Sequence, residues 1–89
     1  MDARGIRQVL IDGLEAGGVS EARSIRFREP FLDGSIDATF EELALDSLAR
    51  MEVCIAIEVA LGISLAPEEL QRYASLGELA NDLRERLSG

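Results

Sequence analysis

Apolar positions recur at helical spacing in three stretches of the chain, and a long aperiodic stretch separates the first from the second. Ile6, Val9, Leu10 and Leu14 form one stripe, with Arg4, Arg7, Gln8 and Asp12 on the other face, which predicts a helix from about Asp2 to Glu15. Gly17-Gly18 ends it. Gly5 and Gly13, if interior, weaken that helix by about 1 kcal/mol each. Asp46 or Ser47 opens a second helix, with Asp46 a suitable N-cap whose charge matches the positive end of the helix dipole. Gly62 is placed to close it after Leu61. A short third helix begins at Pro67, carries Glu68 and Glu69 in its first turn, and is anchored by Leu70 and Tyr73. Ser75 and Glu78 form a capping-box pair for the fourth helix, whose buried stripe is Leu76, Leu79, Ala80, Leu83 and Leu87.

Between Gly17 and Leu45 no long period is visible. The segment is still no polar linker, because Ile25, Phe27, Phe31, Leu32, Ile36, Phe40 and Leu43 are spread along it as candidate anchors. Ser24 to Arg28 alternates polar and apolar, as a short strand would, and Leu32 to Ser35 reads as a turn. Phe40 to Leu43 fits a single helical turn. The pattern therefore predicts an all-α four-helix bundle, three longer helices and one short, with a long loop between helices 1 and 2.

Composition narrows the function. The 89 residues are expected to form one domain, residues 1–89. Aromatics are 4% of the chain, so the core is built from Leu, Ile, Val and Ala. The net charge is −8 and every basic residue is Arg, which argues against nucleic acid and anionic membranes and for basic protein partners. Cys54 is the only cysteine, so no internal disulfide stapling is available. A cytoplasmic, monomeric protein is expected, since the charged N-terminus does not read as a signal peptide. The chain has no histidine, which removes Ser-His-Asp and Cys-His catalysis and the usual zinc sites with a His ligand.

The second helix divides by angle, at about 100° per residue. Ala49, Val53, Cys54, Ala56, Ile57, Ala60 and Leu61 fill a core sector, interrupted by Arg50, which is expected to snorkel toward Glu41 or Glu42. Ser47, Leu48, Met51, Glu52, Ile55, Glu58 and Val59 fill the other sector. Two carboxylates place that face in water, so its aliphatics form an exposed strip of the kind that marks an interaction surface.

The segment Leu43-Ala44-Leu45-Asp46-Ser47-Leu48, followed by Met51-Glu52 and Ile57-Glu58, resembles the prosthetic-group helix of acyl carrier proteins, whose members read roughly Leu-Gly-x-Asp-Ser-Leu. Gly62, the Pro67-to-Leu70 turn and Ser75-Leu76 fall where that family has them. The resemblance implies a 4′-phosphopantetheine arm, transferred from coenzyme A by a phosphopantetheinyl transferase onto Ser47, holding acyl or aminoacyl groups as thioesters on its terminal thiol. It also implies that the carrier is not an enzyme, and that Asp46, Leu48, Met51, Glu52, Ile55, Glu58 and Val59 meet loading ligases and downstream transferases with basic docking surfaces. Two departures stand out. Ala44 replaces the usual Gly, and Ala49-Arg50 and Val59-Ala60 replace acidic positions common in fatty-acid carriers, which suggests a dedicated pathway. The other reading is an unmodified helical interaction module that uses the same apolar strip.

Overall fold

The computed structural model describes residues 1–88. Four α-helices, α1 (Ala3–Ala16), α2 (Ile25–Asp33), α3 (Ser47–Leu61) and α4 (Leu76–Ser88), are joined with two 3-10 turns, Ser20–Arg23 and Pro67–Arg72. The chain is an all-α bundle, as the periodicity predicts, and the described residues contain no strand. No described helix is long and apolar enough to cross a membrane.

The core is aliphatic. Ile6, Leu10, Ile11 and Leu14 of α1 meet Val53 and Ile57 of α3, Leu76, Leu79 and Leu83 of α4, and Leu70, all fully buried or nearly so. Phe31 of α2 is the one fully buried aromatic. Asp2 caps α1, its carboxylate accepting the Gly5 N–H at 2.8 Å. Gly62 ends α3 in the left-handed region at φ 71°.

The first loop is not the open connection that its lost period predicts. Ser24 to Arg28 is no strand; it enters α2. Nine residues with Pro30 among them would not hold as an isolated helix. Tertiary contacts hold this one. Arg7 of α1 donates to the Phe31 carbonyl at 2.8 Å and lies over the Phe31 ring at 4.7 Å. Arg28 pairs with Glu15 at 3.3 Å and donates to the Ala22 carbonyl at 3.0 Å. Phe27 stacks on Phe31, with centroids 5.4 Å apart. Of the expected loop anchors, Phe31, Leu32, Phe40 and Leu43 are buried and Phe27 partly so, whereas Ile25 and Ile36 are exposed.

α1 and α3 cross at a seam of small residues. A Cβ on Gly13 would stand 2.7 Å from the Val53 Cα, and one on Gly17 would stand 2.6 Å from the Ala49 Cα. Glycine here is what lets two backbones touch. Two stripe assignments need correcting. Ala60 in α3 and Leu87 in α4 keep the helical period of the core but are exposed, each in the last turn of its helix.

Asp37 ties the loop to α4. Its carboxylate accepts from the Ser75 hydroxyl at 2.6 Å and from the Gly77 N–H at 2.7 Å, while the Leu76 N–H donates to the Ala38 carbonyl at 2.9 Å. Partial burial pushes the Asp37 carboxyl up. The hydrogen bonds from Ser75, Gly77 and Ala38 outweigh that, with help from the charge of Arg7, and hold it below its ordinary value. The Ser75 hydroxyl also accepts the Glu78 N–H at 3.1 Å, and the Glu78 carboxylate reaches back to the Ala74 N–H at 3.1 Å.

Candidate functional site

The approach to α3 is a single helical turn with its own caps. Thr39 and Glu42 bond reciprocally, each side chain accepting the other's N–H, at 3.0 and 2.9 Å. The Leu43 N–H reaches the Thr39 carbonyl, which closes the one turn expected over Phe40 to Leu43. The Ala44 N–H then donates to the Glu41 carbonyl at 3.0 Å and the Leu45 N–H to the Phe40 carbonyl at 3.4 Å. These are the two bonds of a Schellman cap, and they force the residue between them into the left-handed region. That residue is Ala44, at φ 51°, the one described non-glycine with positive φ. Phe40 and Leu45, both buried, supply the hydrophobic contact that accompanies such a cap.

This geometry explains why a glycine suits the position. Ala44→Gly relieves a left-handed strain of about 1–2 kcal/mol and concedes part of it to the looser unfolded chain. The expected outcome is a gain of about 0.5–1 kcal/mol, read as a melting temperature higher by about 2–8 °C. A lower melting temperature would show that the turn is not strained.

Leu45 drops into the core and the chain turns outward at Asp46. The Asp46 carboxylate accepts the Ala49 N–H at 2.8 Å and caps α3. The capping role is thus taken before Ser47 is reached. Ser47, the first helical residue, is exposed, and its hydroxyl has no hydrogen-bond partner among the described residues. Leu48, Met51, Ile55 and Val59 follow on the outer side of α3 with 52%, 47%, 44% and 82% of their surface exposed. Glu58 is exposed and Glu52 half-buried beside them. Neither α2 nor the 3-10 turn at Pro67–Arg72 covers the strip.

On the opposite flank of Ser47 a groove separates α3 from that 3-10 turn. Ser47, Arg50, Met51, Pro67, Glu68 and Gln71 line it. Arg50 and Gln71 also line an open cleft of about 610 Å³ whose other walls are Thr39, Phe40, Glu41, Tyr73 and Ala74. Tyr73 fixes the far wall by donating to Asp82 of α4 at 2.6 Å. Arg50 does extend toward the loop, but it makes no ion pair with Glu41 or Glu42 among the described residues. Cys54 lies inside, 5% exposed, and burial pushes its thiol up, with the charges of Glu69 and Glu68 adding to the effect.

A model of the family described as phosphopantetheine attachment site matches residues 29–83. The chain belongs to this family. Comparison with curated proteins and with solved structures returned no match. Members of the phosphopantetheine-attachment family carry 4′-phosphopantetheine covalently on a serine, placed there by a phosphopantetheinyl transferase, and work with acyl-processing enzymes.

Four serines lie within the matched residues, and their surroundings differ. The Ser35 hydroxyl is bonded to Asp33, and the Ser75 hydroxyl is bonded to Asp37 and to the Glu78 N–H. Ser64 lies in the extended link after α3, with no helix behind it. Ser47 combines an exposed, unengaged hydroxyl with the N-terminus of a 15-residue helix, whose N–H groups and dipole suit a phosphodiester. The residues present therefore fit the group at Ser47. Spacing alone shows neither the Schellman cap at Ala44 nor the cleft beside Arg50. The family's glycine at the second position, Ala44 here, hints at the cap, whereas the cleft arises only when Tyr73 and Thr39 are brought together.

Proposed function

We propose that Ser47 is the attachment residue and that the chain is a carrier of acyl or aminoacyl groups in a dedicated pathway. What carries the reading is the Ser47 hydroxyl, exposed and unengaged at the head of α3 within the matched residues. Once attached, the arm supplies a thiol on which cargo is held as a thioester. The protein's own residues position it: Asp46 fixes the first turn, and Leu45 and the Schellman turn fix its height above the core. With no histidine in the chain, the base that activates Ser47 comes from the transferase. On this reading the chain catalyses nothing itself.

The test is direct. The protein is incubated with coenzyme A, magnesium and a promiscuous phosphopantetheinyl transferase, and its intact mass is measured. One added phosphopantetheine on the Ser47 peptide supports the reading. No addition to folded protein favours the unmodified interaction module. The dedicated pathway rests on Ala49, Arg50, Val59 and Ala60, which leave α3 less acidic than a general fatty-acid carrier. Transfer by general fatty-acid enzymes as fast as by any dedicated partner would refute it.

The exposed strip of α3, with Glu52 and Glu58, is the proposed docking face for partners with basic surfaces. Ile55→Asp is expected to lower the transferase kcat/KM for this carrier about 30-fold, the loss from removing a contact worth about 2 kcal/mol. Because Ile55 is 44% exposed, the melting temperature should move little. Val59→Asp, at a site 82% exposed, tests the same face with still less risk to the fold. Unchanged rates in both variants would remove the strip from the interface.

A further inference from the structure

Three arginines are half-buried: Arg7, Arg28 and Arg50. Arg7 and Arg28 have partners. Arg7 is bonded to the Phe31 carbonyl and stacked on its ring, and Arg28 is bonded to Glu15 and the Ala22 carbonyl. Arg50 has neither a hydrogen bond nor an ion pair among the described residues. Its guanidinium nitrogens stay open to solvent, so five donors stand unclaimed by the described residues.

Its position indicates what it serves. Residues three apart on a helix are neighbours, and helical side chains lean toward the N-terminus. Arg50 therefore lies over the turn that begins with Ser47, and both line the same groove. The other charged groups nearby are acidic: Asp46 at the cap, Glu68 in the groove and Glu41 in the adjoining cleft. Among the described residues no other cation lines either space. A phosphodiester on Ser47 would add a negative charge to an already acidic neighbourhood, and among the described residues Arg50 is the cation that lines the groove with it. The planar guanidinium also matches two phosphate oxygens in a way an ammonium does not.

We propose that Arg50 binds the phosphodiester of the Ser47-linked arm and turns the first part of that arm into the groove between α3 and the 3-10 turn, toward Gln71. Arg50 is thus a positioning residue for the arm, which makes it more than a misplaced core residue. This inference rests on Ser47 being the attachment site.

The test compares apo protein with holo protein made from coenzyme A, so that the arm carries only its free thiol. Intact mass first confirms complete conversion. If no conversion occurs, the attachment reading fails, and the result concerns Ser47 and not Arg50. With conversion confirmed, the Arg50 Nε–H resonance is followed by NMR. A downfield shift and an exchange rate about tenfold slower in the holo form are expected, as for a charge-assisted hydrogen bond. Apo-to-holo shifts at the Gln71 amide are expected to vanish in Arg50→Gln and to persist, reduced, in Arg50→Lys, which keeps the charge and loses the fork. An Arg50 Nε–H unchanged by modification would overturn the proposal. So would Gln71 shifts as large in Arg50→Gln as in wild type. A third overturning result is an Arg50 resonance that responds to Glu41→Gln in the apo protein and not to the arm.

Discussion

Ser47→Ala is expected to abolish attachment of phosphopantetheine outright while leaving the melting temperature within about 4 °C of wild type, the range for an exposed substitution costing no more than about 0.5 kcal/mol. The two halves of that result have separate causes. Attachment is lost because the side-chain hydroxyl oxygen is the nucleophile and alanine has none. Stability is kept because the hydroxyl holds nothing: the Ala49 N–H is capped by Asp46, not by Ser47. Alanine is also the best helix former for a first-turn position. The informative control is Asp46→Ala, which removes the cap, costs about 1 kcal/mol and leaves the acceptor hydroxyl in place. Mass added to Ser47→Ala protein would place the arm elsewhere and refute the assignment.

Gly13→Val is expected to lower stability by about 3 kcal/mol, a fall in melting temperature of roughly 12–24 °C. The nearest atoms to a new Cβ at this site are backbone: the Val53 Cα at 2.7 Å, the Glu52 carbonyl oxygen at 3.2 Å and the Val53 N at 3.2 Å. Backbone within a helix cannot step aside, so α1 and α3 must part. The gain in helix propensity, about 1 kcal/mol at most, does not offset that. Gly5 gives the opposite sign. There a Cβ would first meet the side chain of Met1, which is 66% exposed and free to move, so Gly5→Ala should leave stability unchanged or raise it by up to about 1 kcal/mol. Equal effects of Ala at positions 5 and 13 in thermal melts would contradict the packed seam.

From sequence, Gly5 and Gly13 look alike, each a propensity cost in one helix. Only α3, which packs on Gly13 and not on Gly5, tells them apart, and that is the general reason part of this molecule was illegible. α1, α3 and α4 announce themselves because local signals agree: caps at Asp46 and Ser75, stripes at helical period, Gly17-Gly18 and Gly62 at the ends. α2 does not, because what holds it comes from elsewhere in the chain, namely Arg7, which engages the Phe31 carbonyl and ring, and Glu15, which pairs with Arg28. Periodicity also overran the core at Ala60 and Leu87, since a stripe says which way a side chain points and not whether anything is there to meet it. The exposure of the strip was legible for a plain reason: Glu52 and Glu58 fix which side of the helix faces water. The half-buried, unpaired state of Arg50 was not, because it depends on Tyr73 and Thr39 lying across a cleft from it.

The burial of Cys54 bears on how long a cargo survives. A thioester is lost most readily to a neighbouring thiolate or amine. The one sulfhydryl of the chain is 5% exposed and held in its protonated form by burial and by the charges of Glu69 and Glu68, so it offers no internal acceptor for transthioesterification and no partner for a disulfide with the arm. With no lysine in the chain, side-chain amines are missing too. The folded protein is chemically quiet toward an activated acyl group. Any reagent that titrates accessible thiols on the intact modified protein therefore counts arms free of cargo, one for one.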